Sequence, residues 1–331
     1  KGALRNGVEE EVAIKIFSKI NGHYMFPESH SHAFAISAYQ AAWIKCYFPL
    51  EFYISLMNNQ PMGFYPNEAI KQDARRFGIN FVNPCINKSI LDCSAHAGTL
   101  LIGLRFVKNI GNSGSNKILK ERLNGGEFYS LEDFVGRVDV SSDAIKSLVE
   151  SGAFDIFESN RRLSLWKLGL YKNKSIESQL HLNLSMDAEV PDLEDFSNFE
   201  AMLAEYNSLG IYPKGHIMEF IRGQLNSDVS KISDVHSQND GDSVVIAGWA
   251  IARQHPRGHS GIVFITIEDE TSDVQLIIWP KVFNEFKSVI RNPLMLVKGE
   301  ISRWDSSTSI EVNTIEEISV DTDLPPTHDW Y

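Results

Sequence analysis

The sequence is short of cysteine, of basic charge and of long apolar runs, and each shortage excludes something. Three cysteines in 331 residues, Cys46, Cys85 and Cys93, are too few and too scattered for a disulfide framework or a thiolate zinc site, so reduced, structural thiols are expected. No apolar stretch reaches the ~20 residues that span a bilayer. No signal peptide precedes Lys1, and the expected location is cytoplasmic. Lysine and arginine number 31 against 43 acids, a formal charge of −12, which excludes a uniformly basic nucleic-acid binder. The chain starts Lys1-Gly2-Ala3 without methionine and in what reads as helix, which suggests a piece of something longer. No paired aspartates lie on adjacent apolar strands, so no catalytic residue, metal ligand or cofactor is assigned to this stretch.

What is present reads as a globular chain of two or three domains, with 43% hydrophobic and 22% charged residues. Its charge is uneven: between Ile70 and Leu170 bases outnumber acids, with Lys71, Arg75, Arg76, Arg105, Lys108, Lys117, Lys120, Arg122, Arg161 and Arg162 among them. The part that follows carries the acidic excess.

One stretch organises the rest, from Phe26-Pro27-Glu28-Ser29-His30-Ser31-His32-Ala33-Phe34-Ala35 through Tyr39-Gln40 to Trp43-Ile44-Lys45. Pro27 ends one helix, Ser29 can cap the next, and its small and apolar side chains predict a buried helix. His30 and His32 stand two apart, do not share a helix face and have no further ligand at useful spacing, so capping or polar contacts are favoured over a metal site. Ser29, His30, Ala33, Phe34, Ala35, Tyr39, Gln40, Trp43, Ile44 and Lys45 resemble a segment near the end of the fingers in bacterial DNA polymerase III alpha subunits of the DnaE type. Further on, Gln60-Pro61-Met62-Gly63-Phe64-Tyr65 and Gln72-Asp73-Ala74-Arg75-Arg76 resemble the error-prone, ImuC-like branch of that family more than its replicative members.

Residues 79–107 read as a small hairpin, and Val107-Lys108-Asn109-Ile110-Gly111 with a helix from about Ser115 to Leu123 resembles a helix-hairpin-helix unit. Such a turn leaves backbone N–H groups at a helix start for a DNA phosphate. Asn109 replaces the first glycine of the usual pattern and tolerates a left-handed conformation. Leu131 to Asp155 reads as a second, related pair, with a purely structural bundle as the alternative. Lys172 to Phe199 reads as a linker, within which Gln179, Leu182 and Leu184 faintly resemble a sliding-clamp peptide. Two short helices, Phe196 to Tyr206 and Lys214 to Leu225, lead to the last region.

From Ser243 to Ile315, alternation marks three strands, a helix and two strands, the order of an OB-fold barrel. Trp249, Phe264, Trp279 and Trp304 are either core or base-stacking platforms, with Arg253, Arg257, Lys298 and Arg303 as cations. Glu268-Asp269-Glu270-Thr271 reads as a solvated turn. The expected organisation is therefore helical fingers end (1–80), helix-hairpin-helix region (81–172), linker with short helices (173–240) and all-β OB-fold (241–331).

The resemblance implies the DNA-binding C-terminal part of an error-prone, translesion DNA-directed polymerase, serving DNA synthesis and repair. Its Mg²⁺ would be held by palm carboxylates outside this stretch, which would be inactive alone. Duplex and single-stranded DNA, the sliding clamp and accessory translesion proteins are the implied partners; no membrane is. The expected DNA contacts are Arg75, Arg76, Arg105, Lys108, Asn109, Gly111, Lys117, Arg253, Arg257 and Arg303. A replicative alpha subunit, a non-enzymatic OB-fold scaffold and a tRNA-handling anticodon module are the other readings; the opening stretch and Pro61-Met62-Gly63 argue against the last.

Overall fold

A computed structural model describes residues 2–19, 28–62, 65–177, 191–255, 261–305, 307–318 and 329–330. The chain divides into two compact units, Lys1–Phe52 and Tyr53–Tyr331. The first holds helices α1 (Gly2–Arg5), α2 (Glu10–Lys19) and α3 (Glu28–Tyr47), and the boundary falls within α4 (Pro49–Asn58). Contrary to the buried helix the sequence predicts, α3 is exposed along nearly all its described length: Phe34, Ile36, Tyr39 and Trp43 are all more than 40% exposed. Its apolar residues go all the way round rather than forming one stripe, so no single face gathers them.

The second unit opens with α5 (Asn67–Arg76), which ends at Gly78, a residue at φ +78°. A small sheet follows: β2 (Ser94–His96) and β3 (Thr99–Leu101) form a hairpin, and β1 (Phe81–Val82) runs parallel to β3. Ala97 and Gly98, both at positive φ, supply the two-residue turn that such a hairpin demands. Four helices come next, α6 (Gly111–Gly125), α7 (Leu131–Arg137), α8 (Ser142–Glu150) and α9 (Arg161–Glu177). Ser130 and Ser141 cap α7 and α8 through their side-chain oxygens. Phe128, Phe134 and Phe154 form an edge-to-face chain at centroid spacings of 5.1 and 5.0 Å in the core beneath them.

Helix α10 (Asn198–Leu209) starts on a full capping box, Ser197 with Glu200, and stops at left-handed Gly210. Short helices α11 (Ile217–Ile221) and α12 (Ile232–Val235) lead to the barrel. There β4 (Ser243–Gln254), β5 (Val263–Glu268), β6 (Asp273–Ile278), helix α13 (Pro280–Phe286), β7 (Leu294–Trp304) and β8 (Ser307–Glu317) follow in the expected order. Pairing runs β5-β6-β8-β7-β4, and β4 closes on β5 through a bulge between Ala250 and Ala252, which makes an OB-fold. Val244, Ile246, Ile265, Leu276, Val297 and Ile310 fill the interior. A second cluster buries the outer side of β4, Ala247, Trp249 and Ile251, under Met202 and Tyr206 of α10 and Ile217 of α11.

Candidate nucleic-acid interface

The turn from Val107 to Gly111 is set by its own residues. Val107 and Ile110 are buried anchors, while Lys108, Asn109 and Gly111 stay exposed between them. Asn109 at φ +66° and Gly111 at φ +57° take the left-handed steps that let the chain reverse into α6, which begins four residues earlier than the sequence suggests. Two bonds fix the loop to neighbouring helices: the Lys108 N–H donates to Ser208 O at 2.8 Å, and the Asn109 amide donates to Ser147 Oγ at 3.1 Å.

The helix that starts there is uncapped. Ile110 occupies the cap position and offers no side-chain acceptor, and the first helical bond is Gly114 N–H to Ile110 O at 3.1 Å. By helix geometry the N–H groups of Gly111, Asn112 and Ser113 find no carbonyl within the helix and point beyond its start, where the partial positive charge gathers. Lys108 and Lys120 stand exposed nearby in sequence with no side-chain partner among the described residues. Lys117 donates to Asp139 O at 2.7 Å and Oδ2 at 3.0 Å, an exposed pair that solvent screens.

Arg75, Arg76, Arg105, Arg253 and Arg303, the other expected DNA contacts among the described residues, lie elsewhere and are engaged. Arg105 bonds Asp92 and the Asn58 carbonyl. Arg75 pairs with Glu219 at 3.6 Å, and Arg76 reaches the barrel, with Asp273 at 2.8 Å and Glu268 at 3.2 Å. Arg253 is buried, donating to Ile290 O at 2.9 Å and Asn292 O at 2.6 Å. Arg303 donates to the His236 and Gln238 carbonyls, both at 2.7 Å, and Lys298 pairs with Glu316. Arg257 and the segment with Gln179, Leu182 and Leu184 lie outside the described residues. Ser29, His30, Tyr39, Gln40 and Lys45 all lie on α3, where the His30 ring packs edge-on against Phe34 at 4.5 Å.

The turn after β5 corrects the sequence reading directly. Glu268 and Asp269 are buried, not solvated. Arg222 clamps Asp269 at 2.7 Å and Glu270 at 2.9 Å, and Asp269 also accepts from Ile232 N–H. Lys71, fully buried on α5, pairs with Glu68 at 2.7 Å and donates to Tyr212 O and Gly215 O, so α5 is riveted to the chain between α10 and α11. Glu268 Oε1 faces His216 Nε2 at 3.7 Å without a hydrogen bond. Burial pushes the Glu268 carboxyl up to about 8 and the His216 imidazole down to about 4. Sequence reasoning missed this network because its partners are distant in the chain: Arg76 and Glu268 stand 192 residues apart.

A second turn, Ser151 to Asp155 between α8 and α9, is closed. Gly152 sits at φ +80°, and a Cβ there would lie 2.4 Å from Arg161 Nη2. Arg161, buried, donates to Asp155 at 3.0 and 2.7 Å and to Glu205 at 2.8 Å. Burial pulls its pKa down, but the two carboxylates outweigh that and raise it.

Among the described residues no group of three or more His, Cys, Asp or Glu could hold a metal ion, and no helix is long and apolar enough to cross a membrane.

Two protein families match. The helix-hairpin-helix motif covers residues 78–164 and the OB-fold nucleic acid binding domain covers 244–318. Error-prone DNA polymerase 3 of Agrobacterium fabrum is 30% identical over 338 residues, 97% of this chain and 31% of that protein. Error-prone DNA polymerase 2 of Rhizobium meliloti is 30% identical over 340 residues, with the same coverage. The error-prone DNA polymerase of Mycobacterium tuberculosis is 31% identical over 311 residues, 92% of this chain and 28% of that protein. The chain spans about a third of the length of these relatives.

Proposed function

We propose, on the premise that the chain belongs with the DnaE-type error-prone polymerases over the stretch it shares with them, that it is the portion that grips DNA during translesion synthesis. The open start of α6 carries the reading: three outward N–H groups, with Lys108, Lys117 and Lys120 close in sequence, suit a duplex phosphate and ignore base identity. For single-stranded template the barrel offers Trp304, 85% exposed at the β7–β8 turn, as a stacking platform. The parent enzyme would join nucleotides at Mg²⁺ held by carboxylates elsewhere, so the isolated stretch does not extend a primer. Clamp docking through Gln179, Leu182 and Leu184 belongs to the same reading.

Fluorescence anisotropy with primer-template DNA across a salt series tests it. Affinity should fall steeply with salt, and replacing Lys108, Lys117 and Lys120 by alanine should lower the log–log slope by about three, near 0.9 for each phosphate no longer neutralised. An unchanged slope places the grip elsewhere, and primer extension by the purified chain overturns the inactivity.

A further inference from the structure

The outer surface of the barrel divides in two. The side formed by β4 lies under helices, and Glu268 at the end of β5 is buried, whereas Phe264 of β5, Gln275 and Ile277 of β6 and Glu311 of β8 stay partly or fully exposed. Strand pairing lines these up: Phe264 opposite Ile277, Ile277 opposite Glu311, and Glu311 opposite Glu300 on β7. Beside this row stands Trp279, 45% exposed, whose indole N–H donates to Glu311 Oε2 at 3.3 Å. Phe264 and Ile277 are half-buried, so their outer surfaces add an apolar strip.

Among the described residues, the charges in this row are the carboxylates Glu300 and Glu311. A polyanion would meet repulsion there, since Lys298, on the same side of β7 as Glu300, is paired with Glu316 at 3.1 Å. An exposed indole with a carboxylate tethered to its edge is instead an acceptor for a planar cation. Guanidinium stacks on tryptophan by cation–π attraction and pairs bidentately with carboxylate. We propose that this open face docks a protein partner through an extended segment in which arginine alternates with aliphatic residues. The guanidinium lies on Trp279 and bonds Glu311, Glu300 adds field, and the aliphatic side chains cover Phe264 and Ile277. The proposal concerns a different surface from the α6 turn and stands whether or not that turn holds DNA.

The test uses the full chain at 0.15 M salt with a synthetic peptide of alternating arginine and leucine, a control with glutamate for arginine, and a single-stranded oligonucleotide. The arginine peptide should bind saturably, with NMR shifts confined to β5, β6, β8 and Trp279. Trp279→Ala and Glu311→Gln should each weaken it about tenfold, the scale of a partly desolvated cation–π or charge-assisted interaction. Trp279→Phe, which keeps a ring and the fold, should recover part of that loss, and oligonucleotide affinity should stay within about twofold, since every phosphate-binding cation stays in place. The proposal is overturned if the glutamate peptide binds as well, if the shifts lie elsewhere, or if Trp279→Ala loosens the oligonucleotide as much as the peptide. That last result would make the face a nucleic-acid site.

Discussion

Two glycine turns in the helical region begin from related sequence and end in opposite states. At Val107–Gly111 the chain turns left-handed, α6 starts without a cap, and the helix-start N–H groups face outward. At Ser151–Asp155 the glycine is equally left-handed, but Arg161 fills the approach and is held by Asp155 and Glu205. A glycine at positive φ makes a turn; what surrounds it decides whether the turn is a binding element or a structural joint. Of the two glycines, Gly111 alone has open space where a Cβ would stand.

The contrast can be broken most severely at the closed turn. Arg161→Ala leaves Glu205, which is fully buried, without its strong partner and should cost about 3–5 kcal/mol in denaturant unfolding. Gly152→Ala comes next: the left-handed penalty of ~1–2 kcal/mol is joined by displacement of Arg161, so its loss should approach that of the arginine variant. Gly111→Ala has open space around its Cβ and should show only that ~1–2 kcal/mol, together with weaker duplex binding by anisotropy. Lys108→Ala should leave stability within about 0.5 kcal/mol and lower the salt slope by about one. Equal destabilisation by the two glycine variants would erase the distinction between the turns.

Much of this molecule was legible in the chain. The alternation at Val274, Leu276 and Ile278 marked a strand that is one, and the order of strands with a helix between identified the barrel. The fate of the cations was not legible. Arg76 and Arg253 look like free positive charge in sequence, yet each is claimed by a carboxylate or carbonyl from another segment. Glu268 looked solvated because nothing near it in sequence announces Arg76, His216 or the helices that cover it. Lys108 stays exposed because its loop projects between two buried anchors, Val107 and Ile110. Period and turn chemistry are local; ion pairing across a fold is not.

Strand β4 carries a consequence of another kind. It is apolar on both sides, with Val244, Ile246 and Ala250 toward the barrel interior and Ala247, Trp249 and Ile251 toward the helices. Polarity therefore cannot tell one register from the next, since a one-residue slip would exchange one apolar set for another. Volume does that work instead. The indole of Trp249 stacks against Tyr206 outside, and Gly248 lies where a Cβ would come within 2.8 Å of the Glu268 carbonyl oxygen. The largest side chain in the strand and the smallest stand next to each other, and between them they leave β4 one way to lie.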